Sequence, residues 1–355
     1  MGYLMDAATF RILDTLASGL GKRFSINQLT GRIKKIHGTA YYANIYEKLH
    51  NLENNQILTI TKLGKSSVTS LNFRNYLLVD YLAQRELINK ISFLETRTNL
   101  ELLFQELEKQ LEEYCFIKSI VSIDSLRNFK LNKLELFILT QKDTSDSQNE
   151  ETIFLKLNGL EKKYNLKINC LIFDNQEFFS FLKSDEINPV KELFSEMIVL
   201  LGAQAFWRQI REFFNKGITV HSIEGGINPF ELDEADLVFN LARFGYTEFG
   251  SKISQGNKIC IEYIIISLLT NDDARRLEAI PVIIAKNGFN CNLLVFLAQK
   301  FGQAGKLLGI LKILENIKQT KKVSTAIRLL ESFKVKEIEF DKEAILQKMR
   351  LYNAF

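Results

Sequence analysis

Residues 25–71 read SINQLTGRIKKIHGTAYYANIYEKLHNLENNQILTITKLGKSSVTSL. Ser25 followed three residues later by Gln28 is the pattern of a reciprocal helix cap, and Ile26, Leu29 and Ile33 behind it form an apolar stripe at helical spacing. Ile36-His37-Gly38 makes the tight, glycine-bearing turn of a helix-turn-helix. A further helix is expected from Thr39, burying Ala43, Ile45, Tyr46, Leu49 and Leu52 together with one of Tyr41 and Tyr42. Ile57–Thr61 and Ser67–Leu71 are β-branched runs separated by Lys62–Ser66, which predicts a hairpin with a basic tip. Upstream, Phe10, Leu13, Leu16 and Ala17 recur at helical spacing until Gly19 and Gly21 stop them.

The charge distribution sets this segment apart. The chain of 355 residues carries a net +4, but residues 1–75 hold ten Lys/Arg against four acids, an excess of six. The other 280 residues therefore sum to −2. A basic excess confined to one module is the footprint of contact with a polyanion.

Three helices followed by a basic-tipped hairpin resemble the winged-helix family of archaeal and bacterial regulators over residues 4–75. The resemblance implies that the third helix enters the DNA major groove from its N-terminal end and presents His37, Thr39, Tyr41, Tyr42 and Asn44. Lys34, Lys35, Lys48, Lys62 and Lys65 would hold phosphates, setting register without reading bases. Asn44 is the best base reader, because its amide can bond bidentately to an adenine edge. Winged helices also serve as protein adapters, so a protein partner is the competing expectation.

Residues 76–114 read as one or two amphipathic helices, suited either to dimerisation or to packing on the chain's own next domain. Over 115–216, strands are expected at Ile117–Ser122, Leu134–Leu139 and Leu166–Phe173. Helices are expected near Ile153–Tyr164, over Gln176–Leu182, and over a helical segment Pro189–Leu201 ending at Gly202. This order resembles the minimal nucleotidyltransferase fold, which implies a Gly-Ser turn for triphosphate and three strand carboxylates for two divalent cations. Here Asp124-Ser125 stands at the Gly-Ser position, Lys133 and Glu135 stand at the paired acids, and Asn169 falls near the third. One carboxylate of three survives, and Lys133 would repel a cation. Ser125, Lys133 and Glu135 thus mark a vestigial nucleotide site, with no catalytic residue, metal or cofactor assigned. Asp174 lies beyond the strand end.

From residue 228 onward only helical periodicity appears, as at Leu237, Val238 and Leu241, and over Ile261–Leu269 and Leu293–Phe301. Asp272-Asp273 reads as a capped helix start rather than a metal site. Gly302, Gly305 and Gly309 lack the preceding strand and the Lys-Ser/Thr of a phosphate loop. His50 and His221 have no partners at catalytic spacing, and the four cysteines read as buried free thiols. No apolar run reaches the ~18–20 residues of a membrane span, and no secretory signal opens the chain, so a cytoplasmic location is expected.

The expectation is an α+β protein of four parts: a winged helix (1–75), a helical connector (76–114), a degenerate nucleotidyltransferase-like domain (115–216) and a helical domain (228–355). Its function would be binding of double-stranded DNA as a transcriptional regulator, with a homodimer as one option and the body serving oligomerisation or ligand sensing. An active nucleotidyltransferase and a protein adapter are the alternatives.

Overall fold

The computed structural model describes residues 5–95, 98–123, 133–141, 147–220, 227–249, 255–271 and 273–354. The protein is mixed α+β, mostly helical, with two small sheets. Among the described residues no helix is long and apolar enough to cross a membrane. The chain divides into two compact units: Met1–Ser184 with Val190–Glu224, and Asp185–Pro189 with Gly225–Phe355.

The first unit opens with α1 (Ala7–Ser18), β1 (Phe24–Ser25), α2 (Ile26–His37), α3 (Tyr42–Asn54), β2 (Leu58–Leu63) and β3 (Ser66–Leu71). Asp6 caps α1 by accepting from Thr9 N–H at 2.8 Å. The cap of α2 is reciprocal: Gln28 N–H donates to Ser25 Oγ at 3.2 Å and Ser25 N–H donates to Gln28 Oε1 at 2.9 Å. The three helices bury Ile12, Leu13, Leu16, Leu29, Ile33, Ile45, Leu49 and Leu52. The strands form an antiparallel sheet in the order β1-β3-β2.

Three details differ from expectation. Helix α3 begins at Tyr42 rather than Thr39, and Ala43 and Tyr46 are exposed, as are both Tyr41 and Tyr42. Ile45, Leu49 and Leu52 complete the inward stripe at four- and three-residue steps, and Ala43 and Tyr46 fall outside it. The hairpin is tighter than its five-residue tip suggested: Leu63 pairs directly with Ser66, leaving Gly64-Lys65 as a two-residue turn.

Next come α4 (Leu77–Glu95) and α5 (Thr98–Glu112). Then follow β4 (Ile117–Ser122), β5 (Lys133–Thr140), α6 (Ser147–Tyr164), β6 (Lys167–Asp174), α7 (Asn175–Lys183), α8 (Pro189–Glu196), β7 (Ile198–Leu201) and α9 (Ala203–Asn215). The second sheet has the order β6-β5-β4-β7. Strands β5 and β6 are parallel and joined through α6, while β4 runs antiparallel to both of its neighbours.

Leu134, Leu136, Ile138, Ile168, Cys170 and Ile172 share a core with Leu103, Phe104 and Leu107 of α5 and Ile153 and Leu157 of α6. Their alternate neighbours Phe137 and Phe173 meet Phe178 and Phe181 of α7. Helix α4 packs on both α1 and α9, so this helix belongs to the core of the unit.

Ile198–Leu201 is an edge strand, not the end of a helix. Its β-branched start suits a strand, and Gly202 fixes the turn into α9. Gly202 has φ +70°, and a Cβ there would lie 2.1 Å from the Lys118 carbonyl oxygen, so a side chain could not be accommodated.

The second unit contains a 3-10 turn (Pro229–Glu231) followed by α10 (Glu234–Arg243), α11 (Ile261–Thr270), α12 (Ala274–Lys286), α13 (Cys291–Lys300), α14 (Ala304–Ile317), α15 (Lys321–Ser332) and α16 (Lys342–Leu351). Helix α11 is buried from Ile261 to Leu269 and is the centre around which α10, α12 and α13 pack. Asp273 caps α12 through Arg275 N–H at 2.9 Å. The thiols are not uniformly buried: Cys170 and Cys260 are, Cys291 is intermediate, and Cys115 is exposed.

Candidate nucleic-acid interface

The turn between α2 and α3 gathers most of the residues singled out in the sequence. Helix α2 ends with Lys34, Lys35 and His37, cations placed where a helix C-terminus favours them. Gly38 N–H closes the helix on Lys34 O at 3.0 Å. Arg11 of α1 then donates to Thr39 O at 3.0 Å, which ties the turn back to the helical core. Tyr41, 72% exposed, occupies the N-cap of α3, followed by exposed Tyr42, Ala43 and Asn44.

The five lysines separate into two kinds. Lys34 and Lys35 on α2 and Lys62 and Lys65 at the hairpin tip are exposed, and none of the four makes an ion pair among the described residues. Lys48 instead lies 2.6 Å from Asp6 Oδ2. Burial opposes ionisation of Asp6, but its hydrogen bonds from Lys48 and Thr9 N–H outweigh that and hold the carboxyl below its ordinary value.

His37 faces inward. Its Nε2 lies 3.2 Å from Asp14 Oδ2 on α1, and its ring packs edge-on to Phe10. Asp14 Oδ1 in turn accepts from Arg85 Nε at 2.8 Å, and Arg85 also pairs with Glu86. Glu86 Oε1 accepts from Trp207 Nε1–H on α9 at 3.1 Å. A buried polar chain thus runs from the α2–α3 turn through α1 and α4 to the helix that follows the second sheet. Sequence reasoning missed it, because its members lie on four separate elements and no spacing marks them.

Tyr46 was also missed. Its ring stacks on Tyr42 with centroids 5.9 Å apart and planes 27° apart, and it meets His50 edge-on at 4.5 Å. The four-residue step from Tyr42 to Tyr46 was the available signal. His50 Nδ1 lies 3.2 Å from Glu53 Oε2.

In the second sheet, Lys133, Glu135 and Asn169 do come together. Glu135 pairs in register with Asn169 on the parallel strand, and Lys133 Nζ lies 2.6 Å from Glu135 Oε1. The Glu135 carboxylate therefore already has a cation. Asp174 is five residues further along β6, roughly 17 Å at strand rise, and its carboxylate caps α7 through Gln176 and Glu177 N–H. Asp124, Ser125, His221 and Asp272 lie outside the described residues. Among the described residues no three His, Cys, Asp or Glu side chains are grouped so as to hold a metal. No protein-family model, curated protein or solved structure matches this chain.

Proposed function

We propose that this chain is a DNA-binding protein of winged-helix type, acting as a transcriptional regulator on double-stranded DNA. The observation that carries this reading is the set of four exposed lysines that make no ion pair among the described residues: Lys34 and Lys35 leading into α3, and Lys62 and Lys65 on the hairpin. Ammonium groups so placed hold phosphates without competition from protein carboxylates, and each phosphate neutralised releases condensed counterions. In this reading Asn44 on the exposed N-terminal turn of α3 supplies an edge-reading amide, while His37 positions the turn instead of reading bases.

The nucleotidyltransferase-like sheet is proposed as a scaffold or ligand-sensing body. The Lys133–Glu135 pair at 2.6 Å favours that over catalysis, since an ammonium occupies the carboxylate a cation would need. A protein-adapter role is the second reading, favoured by the exposed apolar side chains of Tyr41 and Leu63.

Binding to labelled duplex DNA over a salt series tests the proposal. Wild type should lose affinity steeply with salt, and Lys34→Ala/Lys35→Ala/Lys65→Ala should flatten the log–log slope by roughly one for each phosphate the variant no longer neutralises. Absence of binding at low salt would overturn the DNA reading. Unaltered capture of a protein partner by the triple variant would support the adapter.

A further inference from the structure

We propose that Tyr42 and Tyr46 form a stacking platform for unpaired bases, so that the module prefers DNA containing a locally opened stretch over fully paired duplex. The inference rests on the DNA-binding reading and specifies the form of DNA that the site takes.

The outward face of α3 carries Tyr42 and Tyr46, with the exposed carboxylate of Glu47 beside them and no available cation among the described residues. Tyr42 and Tyr46 sit one helical turn apart, 48% and 44% exposed, with near-parallel rings, and His50 extends the strip by a further turn. Their hydroxyls make no hydrogen bond among the described residues, so polar anchoring does not account for their orientation. The helix's one lysine, Lys48, is engaged by Asp6. An α3 face of this composition offers little to the acceptor edges of guanine, which Arg and Lys read. It does offer ring faces. Within a closed duplex each base covers the faces of its neighbours, and only an unpaired base presents a free face to an aromatic side chain. Stacking of that kind is sequence-tolerant and works together with cations that track the backbone. Those cations are present on the same module: Lys34 and Lys35 close α2 immediately before the turn into α3, Lys65 lies in the hairpin turn and Lys62 near the end of β2. The occupant that satisfies both the aromatic strip and the positive flanks is a polyanion with exposed ring faces.

The test uses the full chain and three labelled probes at one salt concentration: a closed duplex, the same duplex with a central unpaired bubble, and one of its single strands. Wild type should bind the bubble on the order of tenfold more tightly than the closed duplex. Tyr46→Ala should abolish that difference, whereas Lys34→Ala/Lys35→Ala should weaken binding to bubble and closed duplex alike. A further variant supplies a direct optical readout. The chain's one tryptophan, Trp207, is fully buried, so Tyr46→Trp adds a single exposed indole. Its emission should be quenched by the bubble and by the single strand, and not by the closed duplex.

Equal wild-type affinity for bubble and closed duplex, or a Tyr46→Trp signal identical for both, overturns the stacking platform while leaving the DNA reading in place. Failure to bind any of the three probes overturns both.

Discussion

The guanidinium of Arg85 on α4 lies 2.7 Å from the carboxylate of Asp14 on α1, with 3% of the arginine side chain exposed. Because Arg85 also pairs with Glu86, and Glu86 accepts from Trp207, this contact joins the three-helix module to the core of its unit through charges removed from water.

Removing the arginine alone should be severe. Arg85→Met strands two buried carboxylates and is expected to cost about 3–5 kcal/mol in urea unfolding. Replacing all three groups (Asp14→Leu, Arg85→Met, Glu86→Leu) should cost less than Arg85→Met alone, because no charge is left unpaired. A single-variant loss below about 1 kcal/mol would mean that the pair contributes as little as a surface ion pair.

Asp14 gives this contact an acid-sensitive limb. Burial opposes its ionisation, but the His37 ring nitrogen 3.2 Å away, the charge and hydrogen bond of Arg85, and the hydrogen bond from Asn89 together hold the carboxyl well below the usual carboxylate range. A depressed value stabilises the fold above the unfolded pKa, about 3.9, and that contribution is lost as pH falls through the folded value. The stability gap between wild type and Asp14→Asn should therefore be full near neutrality and shrink below about pH 4. A gap constant across that range in urea titrations would contradict the assignment.

Glu262 on α11 carries the opposite sign. Burial pushes its carboxyl up, against the hydrogen bond from Asn290 N–H at 2.7 Å. A raised value stabilises below the unfolded pKa, about 4.3, and the contribution is lost as pH rises through the folded value. Glu262→Gln keeps an acceptor for Asn290 without the charge, so its thermal midpoint relative to wild type should improve as pH rises above the unfolded value of about 4.3. An offset independent of pH would show that the carboxylate is not penalised.

Gly309 on α14 is a packing position. A Cβ there would meet the Ile338 carbonyl oxygen at 1.9 Å, and one at Gly305 would meet the Lys336 carbonyl oxygen at 2.6 Å. Ile338 N–H donates to Gly305 O at 3.1 Å, so the segment against the helix is fixed by its own hydrogen bond. Gly309→Ala should destabilise by about 1–3 kcal/mol through overpacking. Gly159→Ala on α6, where nothing lies within 4 Å, should instead stabilise by up to about 1 kcal/mol through helix propensity. Melting curves of the two variants moving in the same direction would refute the argument.

Lys48 separates the paired cation from the available ones. Lys48→Ala should change the salt dependence of DNA binding less than Lys35→Ala does, and Asp6→Asn, which releases Lys48, should tighten binding to duplex. Equal slopes for the two lysine variants would show that the Asp6 pair opens on binding.

Much of the architecture was legible in the sequence because its signals are local. The Ser25–Gln28 cap, the Ile26/Leu29/Ile33 stripe and the strand-like runs at 117–122 and 166–173 each report the environment of a few neighbouring residues, and all correspond to elements of the expected kind. The juxtaposition of Lys133, Glu135 and Asn169 was expected only from the family resemblance, and the parallel register of β5 with β6 brings them together. Ile198–Leu201 was misread because a short apolar run fits a buried helix as well as an edge strand, and only pairing with β4 distinguishes them. Tyr46 was misplaced because period alone does not tell which side of α3 meets the core.

The sequence by itself determined the order and type of most elements and the basic excess of the first module, since these are properties of local pattern and residue identity. Tertiary structure alone decided that His37 turns inward to Asp14, that Lys48 is engaged by Asp6 while Lys34 makes no ion pair among the described residues, and that Tyr42 and Tyr46 share an exposed face. Those outcomes depend on which side chains lie within a few ångströms across different helices. Burial and charge pairing at that range are set by packing, which no spacing within one helix encodes.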